Sequence, residues 1–237
     1  MVPTLVLAAA AAACDCSVAD QVPSLAFTEN VVGTDAGRFG LVDRTSFAAN
    51  AAHSQQQTSL AVFGAPIERV TLSMGLSAGW SSDGGLRTRR AGPDGRLSVR
   101  LLGDRTSTFV LSVFGGHRAL PFARAASVDG NVAASLRLRS LRYDVNYGLA
   151  HQPTTDLTEH VLSFRASTAL ARWFQLGGEL QHRRTTKGDD RFVAAGVQAT
   201  VAGPVLVASL TVGMADRLTS GSKVWTPFVG VALADVF

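Results

Sequence analysis

Lysine is nearly missing from this chain: Lys187 and Lys223 are the only two among 237 residues. The remaining basic residues are arginines spread mostly singly through apolar segments, with Arg87, Arg89 and Arg90 the tightest cluster. The net charge of +4 therefore gathers into no basic face of the sort that marks nucleic-acid binders, and no nucleic-acid partner is expected. Charge as a whole is scarce, at 17% against roughly 25% in ordinary soluble domains, while 46% of residues are hydrophobic. Yet beyond the N-terminus no apolar run approaches the ~18 residues that a helix needs to cross hydrocarbon. Lipid admits only helices and closed barrels, because unpaired backbone groups find no water there, so a membrane chain without spanning helices is a barrel. Cysteine is confined to Cys14 and Cys16, one residue apart, an awkward pair for a disulfide and too few for a metal site of known type. No glycine-rich loop leads into Lys-Ser or Lys-Thr, and no Gly-x-Ser-x-Gly elbow occurs. Neither metal nor cofactor is expected, and no catalytic residue is assigned.

What the sequence does have is alternation. Val70, Leu72, Met74, Leu76, Ala78 and Trp80 interleave with Thr71, Ser73, Gly75, Ser77 and Gly79, the period of a strand whose side chains point to opposite faces. Leu206, Ala208, Leu210, Val212 and Met214 repeat it against Val207, Ser209, Thr211 and Gly213. In the middle of the chain the second face becomes charged. Leu141, Tyr143, Val145, Tyr147 and Leu149 oppose Arg142, Asp144, Asn146 and Gly148; Phe174, Leu176 and Leu180 oppose Gln175, Glu179, Gln181 and Arg183. Likewise Leu162 and Phe164 oppose Ser163 and Arg165, and Leu136 with Leu138 opposes Ser135, Arg137 and Arg139. In a soluble sandwich such polar rows face water; in a transmembrane barrel they face the interior, and the apolar rows face lipid.

The closing stretch, Lys223 to Phe237, reads KVWTPFVGVALADVF. Phe237, Leu233, Val231 and Val229 fall on one face, with Asp235 and Pro227 interrupting the series. This resembles the last strand of Gram-negative outer-membrane β-barrels, which typically ends in Phe with apolar residues at alternate preceding positions; Asp235 stands where an apolar residue is usual. The resemblance implies an integral outer-membrane location, contact with outer-membrane lipid, and recognition of the closing strand by barrel-assembly machinery. At the other end, residues 1–16 resemble a secretory signal or leader, alanine-rich and cleavable after Ala13, though without a positively charged start. Cys14 after three alanines also resembles a lipoprotein acylation site, with Ala11 where Leu is usual. Residues 17–37 show no lasting period and contain Pro23 and Gly33, so an irregular periplasmic lead-in is expected.

The expected fold is all-β: a single antiparallel up-and-down transmembrane barrel over 38–237, of about twelve strands. They are placed at 38–48, 57–64, 70–81, 95–102, 107–117, 131–139, 141–151, 158–170, 172–184, 191–201, 205–216 and 223–237. Ten is the alternative, because in the first strand Phe39, Leu41 and Phe47 share a face with Asp43. Counting back from Phe237, links at 65–69, 103–106, 140, 171–172 and 202–204 are short. Those at 49–56, 81–95, 119–130, 152–157, 185–190 and 217–222 are on average longer, the asymmetry of periplasmic turns and external loops. Trp80, Trp173, Trp225, Tyr143 and Phe192 near strand ends fit aromatic girdles.

The expected lumen lining is Arg100, Arg137, Arg139, Arg142, Asp144, Asn146, Arg165, Gln175, Glu179, Gln181 and Arg183. Arginines around a pore select anions, which implies a porin-like channel or transporter for small anionic solutes. Two alternatives stay open. The carboxylates pair with neighbouring arginines and the network fills a structural barrel; or the barrel is an enzyme acting on lipid, with His117, His151, His160 or His182 beside a serine. Asp189 and Asp190 with Asp156 or Glu159 read as a solvated loop.

Overall fold

The computed structural model describes residues 31–50, 53–83, 86–119, 126–171, 173–186, 191–218 and 225–237. Twelve strands follow in order: β1 Phe39–Ala49, β2 His53–Ile67, β3 Val70–Asp83, β4 Leu86–Leu102, β5 Phe109–Ala119, β6 Ala126–Leu138, β7 Leu141–Gln152, β8 Leu157–Ala171, β9 Phe174–Thr185, β10 Arg191–Ala202, β11 Leu206–Leu218 and β12 Thr226–Val236. Each pairs antiparallel with its neighbours in sequence, and β1 pairs with β12 to close the cylinder. The ten-stranded alternative is thereby excluded. Closure runs from Gly40 opposite Val236 to Ala48 opposite Phe228. Beyond it, the Phe39 and Phe237 amides each donate to the other's carbonyl, at 3.3 and 2.7 Å, and the two rings meet at 5.7 Å.

The alternation in the sequence becomes the two faces of the wall. Leu72, Met74 and Leu76 point outward, the last two 71% and 69% exposed, and every other strand contributes similar residues. In water so continuous an apolar skin would aggregate. Against hydrocarbon it is the matched surface, and a soluble sandwich, which hides its leucines between two sheets, is excluded.

The links differ from expectation. At the end where β1 starts and β12 finishes they are 68–69, 103–108, 139–140, 172–173 and 203–205; at the other, 50–52, 84–85, 120–125, 153–156, 186–190 and 219–225. Within the stretch 81–95, expected as a loop, residues 81–83 continue β3 and 86–95 belong to β4. Pro93, Asp94 and Gly95 look like turn residues but lie opposite Leu76, Gly75 and Met74. Pro93 is tolerated because β4 pairs with β5 only from Gly95 onward, so above that point one side of β4 is an edge. On that open side His117 Nδ1 lies 3.1 Å from the Pro93 carbonyl oxygen.

The link between β4 and β5 is held by one side chain. Asp104 Oδ1 accepts from the Thr106 amide and hydroxyl at 2.8 and 2.7 Å and from the Ser107 amide and hydroxyl, both at 3.0 Å. Before it, Gly103 has φ of +73°, and a Cβ there would lie 2.2 Å from the Phe109 carbonyl oxygen. Gly103→Ala therefore meets both left-handed strain of about 1–2 kcal/mol and a backbone collision. It is expected to lower the urea midpoint of the folded barrel in detergent, whereas Gly95→Ala, with nothing within 4 Å, leaves it nearly unchanged.

The donors around Asp104, the Thr106 hydroxyl foremost, hold its carboxyl down to about 2 from 3.8. A depressed folded value means that the turn's contribution is present above the unfolded value and is lost as pH falls through about 2. A carboxyl NMR titration in micelles should give that low midpoint, and an ordinary carboxylate midpoint would refute the turn geometry.

Candidate functional site

Twelve strands about 4.8 Å apart and tilted by about 40° enclose a backbone cylinder of circumference about 75 Å and diameter about 24 Å. That is wider than the eight-stranded barrels that side chains fill and narrower than the sixteen-stranded ones that stay open. What lines it decides what it does.

The inward face is polar and tightly packed. One row crosses four strands: Ser135 on β6 lies opposite Asp144 on β7, Asp144 opposite Arg165 on β8, and Arg165 opposite Glu179 on β9. Asp144 has no solvent exposure. Its Oδ1 accepts from Arg142 Nε at 2.9 Å, and its Oδ2 from Arg165 Nε and Nη2 at 2.8 and 2.5 Å. Arg142 Nε also lies 3.1 Å from Ser135 Oγ. A carboxylate so enclosed is tolerable only because two guanidinium groups face it. Farther along, Arg183 lies 3.8 Å from Glu159, with its guanidinium 4.1 Å from the centre of the Phe192 ring.

A second pair spans a strand. Arg96 on β4 and Asp129 on β6 both stand level with Gly116 on β5. Arg96 Nη1 reaches both oxygens of Asp129, at 2.8 and 2.7 Å, and lies over the Phe114 ring. A Cβ at Gly116 would sit 2.2 Å from the Gly95 carbonyl oxygen, so the missing side chain both lets β5 lie close to β4 and clears the route from Arg96 to Asp129.

Residues 31–37 enter this interior as well. Val31 and Val32 are buried against Val110, Phe114 and Ala133 on the inner wall. Ser112 Oγ donates to the Val31 carbonyl at 2.6 Å, Arg100 Nη1 donates to the Val32 carbonyl at 2.8 Å, and the Thr34 amide donates to Thr71 Oγ1 at 3.0 Å. Arg105 meets Asp35 at 3.1 Å at the mouth, and the Gly37 amide bonds the Ala65 carbonyl at the base of β1. The described end of the expected periplasmic lead-in is thus a strap across the inner wall of β3–β5. Among charged side chains buried in the described residues, the cations are Arg96, Arg100, Arg142, Arg165 and Arg183, and the anions are Asp129, Asp144, Glu159 and Glu179 on the inward face with Asp216 near the end of β11. Arg100 is the cation that meets a carbonyl in place of a carboxylate.

Of the residues expected in the lumen, Arg100, Arg142, Asp144, Asn146, Arg165, Glu179, Gln181 and Arg183 are buried on the inward face. Gln175 is half-buried, donating to Ser167 Oγ at 3.1 Å. Arg137 is half-buried near the mouth and donates to the Arg105 carbonyl at 2.9 Å. Arg139 is not in the lumen: β6 ends at Leu138, and Arg139 stands exposed on the turn with φ of +57°. Phe192 is not a girdle residue, since its ring points inward onto Arg183, whereas Trp80, Trp173 and Trp225 are exposed outside. Glu159 is not a loop residue but lies buried beside Arg183, while Asp189 and Asp190 are outside the described residues. Arg96, Asp129, Glu159 and the strap were not identified from sequence as lumen elements. The signal for Arg96 was present, for it shares the face of Ser98 and Arg100. Of the histidines, His117 bonds the Pro93 carbonyl, His151 the Thr158 hydroxyl and His160 the Tyr147 hydroxyl, so none of these three rings bonds a serine.

Solved structures share this architecture. The fold is that of outer-membrane channels. An outer-membrane channel of the COG4313 group from Pseudomonas putida F1 superposes with a TM-score of 0.66 at 11% identity, covering 88% of this chain and 98% of its own. The KdgM porin in complex with disordered oligogalacturonate gives 0.60 at 11%, covering 84% and 99%, and the NanC porin 0.55 at 8%, covering 82% and 98%. No protein-family model and no curated protein matches the sequence.

The buried row gives a direct test. Asp144→Ala leaves two enclosed guanidinium groups facing each other and is expected to cost about 3–5 kcal/mol of stability. Ser135→Ala, which removes one hydrogen-bond partner of Arg142, should cost about 1 kcal/mol. Urea titrations followed by the fluorescence of the outward tryptophans measure both, and equal costs would contradict the geometry.

Proposed function

We propose that this chain is a porin-like channel of the outer membrane for small anionic solutes. The observation that carries the reading is Arg100: among the described residues five buried cations are balanced by five buried anions, and Arg100 is the buried cation that meets a carbonyl instead of a carboxylate. An anion entering a bore of this kind passes guanidinium groups fixed in place by their neighbours, which offer a positive potential without having to reorganise. Support of a weaker kind comes from the fold, shared with porins of which one was solved with an acidic oligosaccharide. The reading assigns the chain passage of a solute and no chemical step.

A second reading rests on a specific observation. Asp144, Arg165, Glu179 and Arg183 are almost wholly enclosed by one another and their neighbours, the state of a braced, filled barrel with a structural role. Current across a planar bilayer separates the two. Under the channel reading the purified chain gives discrete conductance steps with a reversal potential favouring chloride over potassium. Arg137→Glu, at the mouth and outside the ion-paired row, should lower the chloride-to-potassium permeability ratio several-fold. A folded barrel that never conducts favours the structural reading.

A further inference from the structure

The chain's own strap, 31–37, sits on the cation that a permeating anion would need. Seven residues, bent at Val31 and Val32 and turning at Ala36 and Gly37, are held to the wall of β3–β5 and take up a large share of a bore about 24 Å across between backbones. Their hold is built from few parts. Ordering seven residues costs conformational entropy. Among the described contacts, two buried valines, four wall hydrogen bonds including that of Gly37 to Ala65, and one half-exposed ion pair offset that cost by a similar amount. Docked and released states therefore lie close in free energy, unlike the wall itself, which is locked by continuous ladders. Gly33 and Gly37, at φ of +74° and +77°, give the strap two points at which its backbone can swing.

The contact that matters is at Arg100. Its Nη1 is taken by the Val32 carbonyl, and its Nε is buried with no hydrogen-bond partner. A carbonyl offers a guanidinium one neutral oxygen, whereas a carboxylate brings opposite charge and two oxygens that can meet the guanidinium fork in a bidentate pair. We propose that strap 31–37 is a displaceable plug that masks an anion site formed by Arg100 with Ser112 and Thr71, and that carboxylate-bearing solutes open the channel by taking Arg100 from the Val32 carbonyl. This rests on the channel reading above and adds its regulation. Because the anion binds only when the strap has left, it shifts the equilibrium in proportion to occupancy: at ten times its dissociation constant the released-to-docked ratio rises about elevenfold.

A cross-link tests the plug. A Cβ at Gly33 would lie 3.9 Å from the Thr71 Cβ, within the span of a disulfide. Gly33→Cys with Thr71→Cys, in full-length chain carrying Cys14→Ser and Cys16→Ser, locks the strap when oxidised and frees it when reduced. Folding is checked by heat-modifiable gel mobility and bridge formation by mass. The expected result is at least a twofold higher mean conductance after reduction. Equal, non-zero conductance in both states overturns the plug and leaves the channel standing; silence in both overturns the channel and the plug with it. Should the double cysteine variant not fold, Arg100→Met serves with citrate as the probe. Wild type should open further in citrate, while Arg100→Met should conduct more without citrate and respond to it less than twofold. Identical behaviour of the two proteins overturns the assignment of Arg100.

Discussion

Everything in this molecule follows from the need to pair every backbone amide and carbonyl where water is missing. A sheet of twelve strands left open would present two rows of unpaired groups to hydrocarbon, each group costing several kcal/mol. Pairing β1 with β12 removes both rows at once. At the seam each inward pair has one small partner: Gly40 faces Val236, Ala234 faces Val42, Ala232 faces Arg44, Gly230 faces Ser46 and Ala48 faces Phe228. The mutual hydrogen bonds of Phe39 and Phe237 then extend pairing beyond the last ladder residue, with both aromatic rings outside. Once the cylinder is closed, side-chain period two leaves no choice: one row meets lipid and the next is enclosed.

Enclosure creates the second constraint. A row shut away from bulk water may carry charge only if the charges find one another, and this interior is solved strand by strand. Asp144 is matched by cations on its own strand and on β8; Arg183 is matched by Glu159 and an aromatic face; Arg96 reaches past Gly116 to Asp129. Such matching need not raise stability, since well-packed apolar residues would often do as well. What it does accomplish is a polar inner wall whose donors and acceptors keep fixed directions, the property a selective passage needs and a solid core does not.

The strands with a charged second face were readable almost to the residue, because β7 to β9 alternate without interruption and their inward partners differ in chemistry from their outward ones. Legibility failed where local chemistry was overruled by neighbours. Pro93, Asp94 and Gly95 have turn residues' preferences, yet pairing with β3 along the whole of β4 outweighs them, and the open side of β4 removes the penalty for proline. Arg139 carries the right parity for the lumen but falls one residue past the end of its strand, where the chain turns. Phe192 alternates with Val193 and Ala194 in a run that is apolar on both faces, so periodicity alone could not say which face was inside. The pairing of Arg96 with Asp129 depends on a glycine in an intervening strand, a relation invisible until register is known. The strap has no period at all, and its placement depends on single side chains from three strands.

The shortness of the links at the far end bears on how passage can be restricted. The wide open barrels that narrow themselves do so with a long loop folded inward, and the described strands here leave 50–52, 84–85 and 153–156 too few residues to reach the axis of a cylinder about 12 Å in radius and return. Where those three links cannot reach, the wall and the strap are the described parts that border the bore. The wall offers fixed, mutually paired side chains that cannot withdraw without leaving a charge unmatched. The strap before β1 differs in kind, because it is held by single side chains in place of a continuous ladder and its backbone groups, once released, can return to water. Of these two, the strap is therefore the part able to vary an aperture, since its contacts can be given up without leaving a carboxylate and a guanidinium both unmatched in the wall.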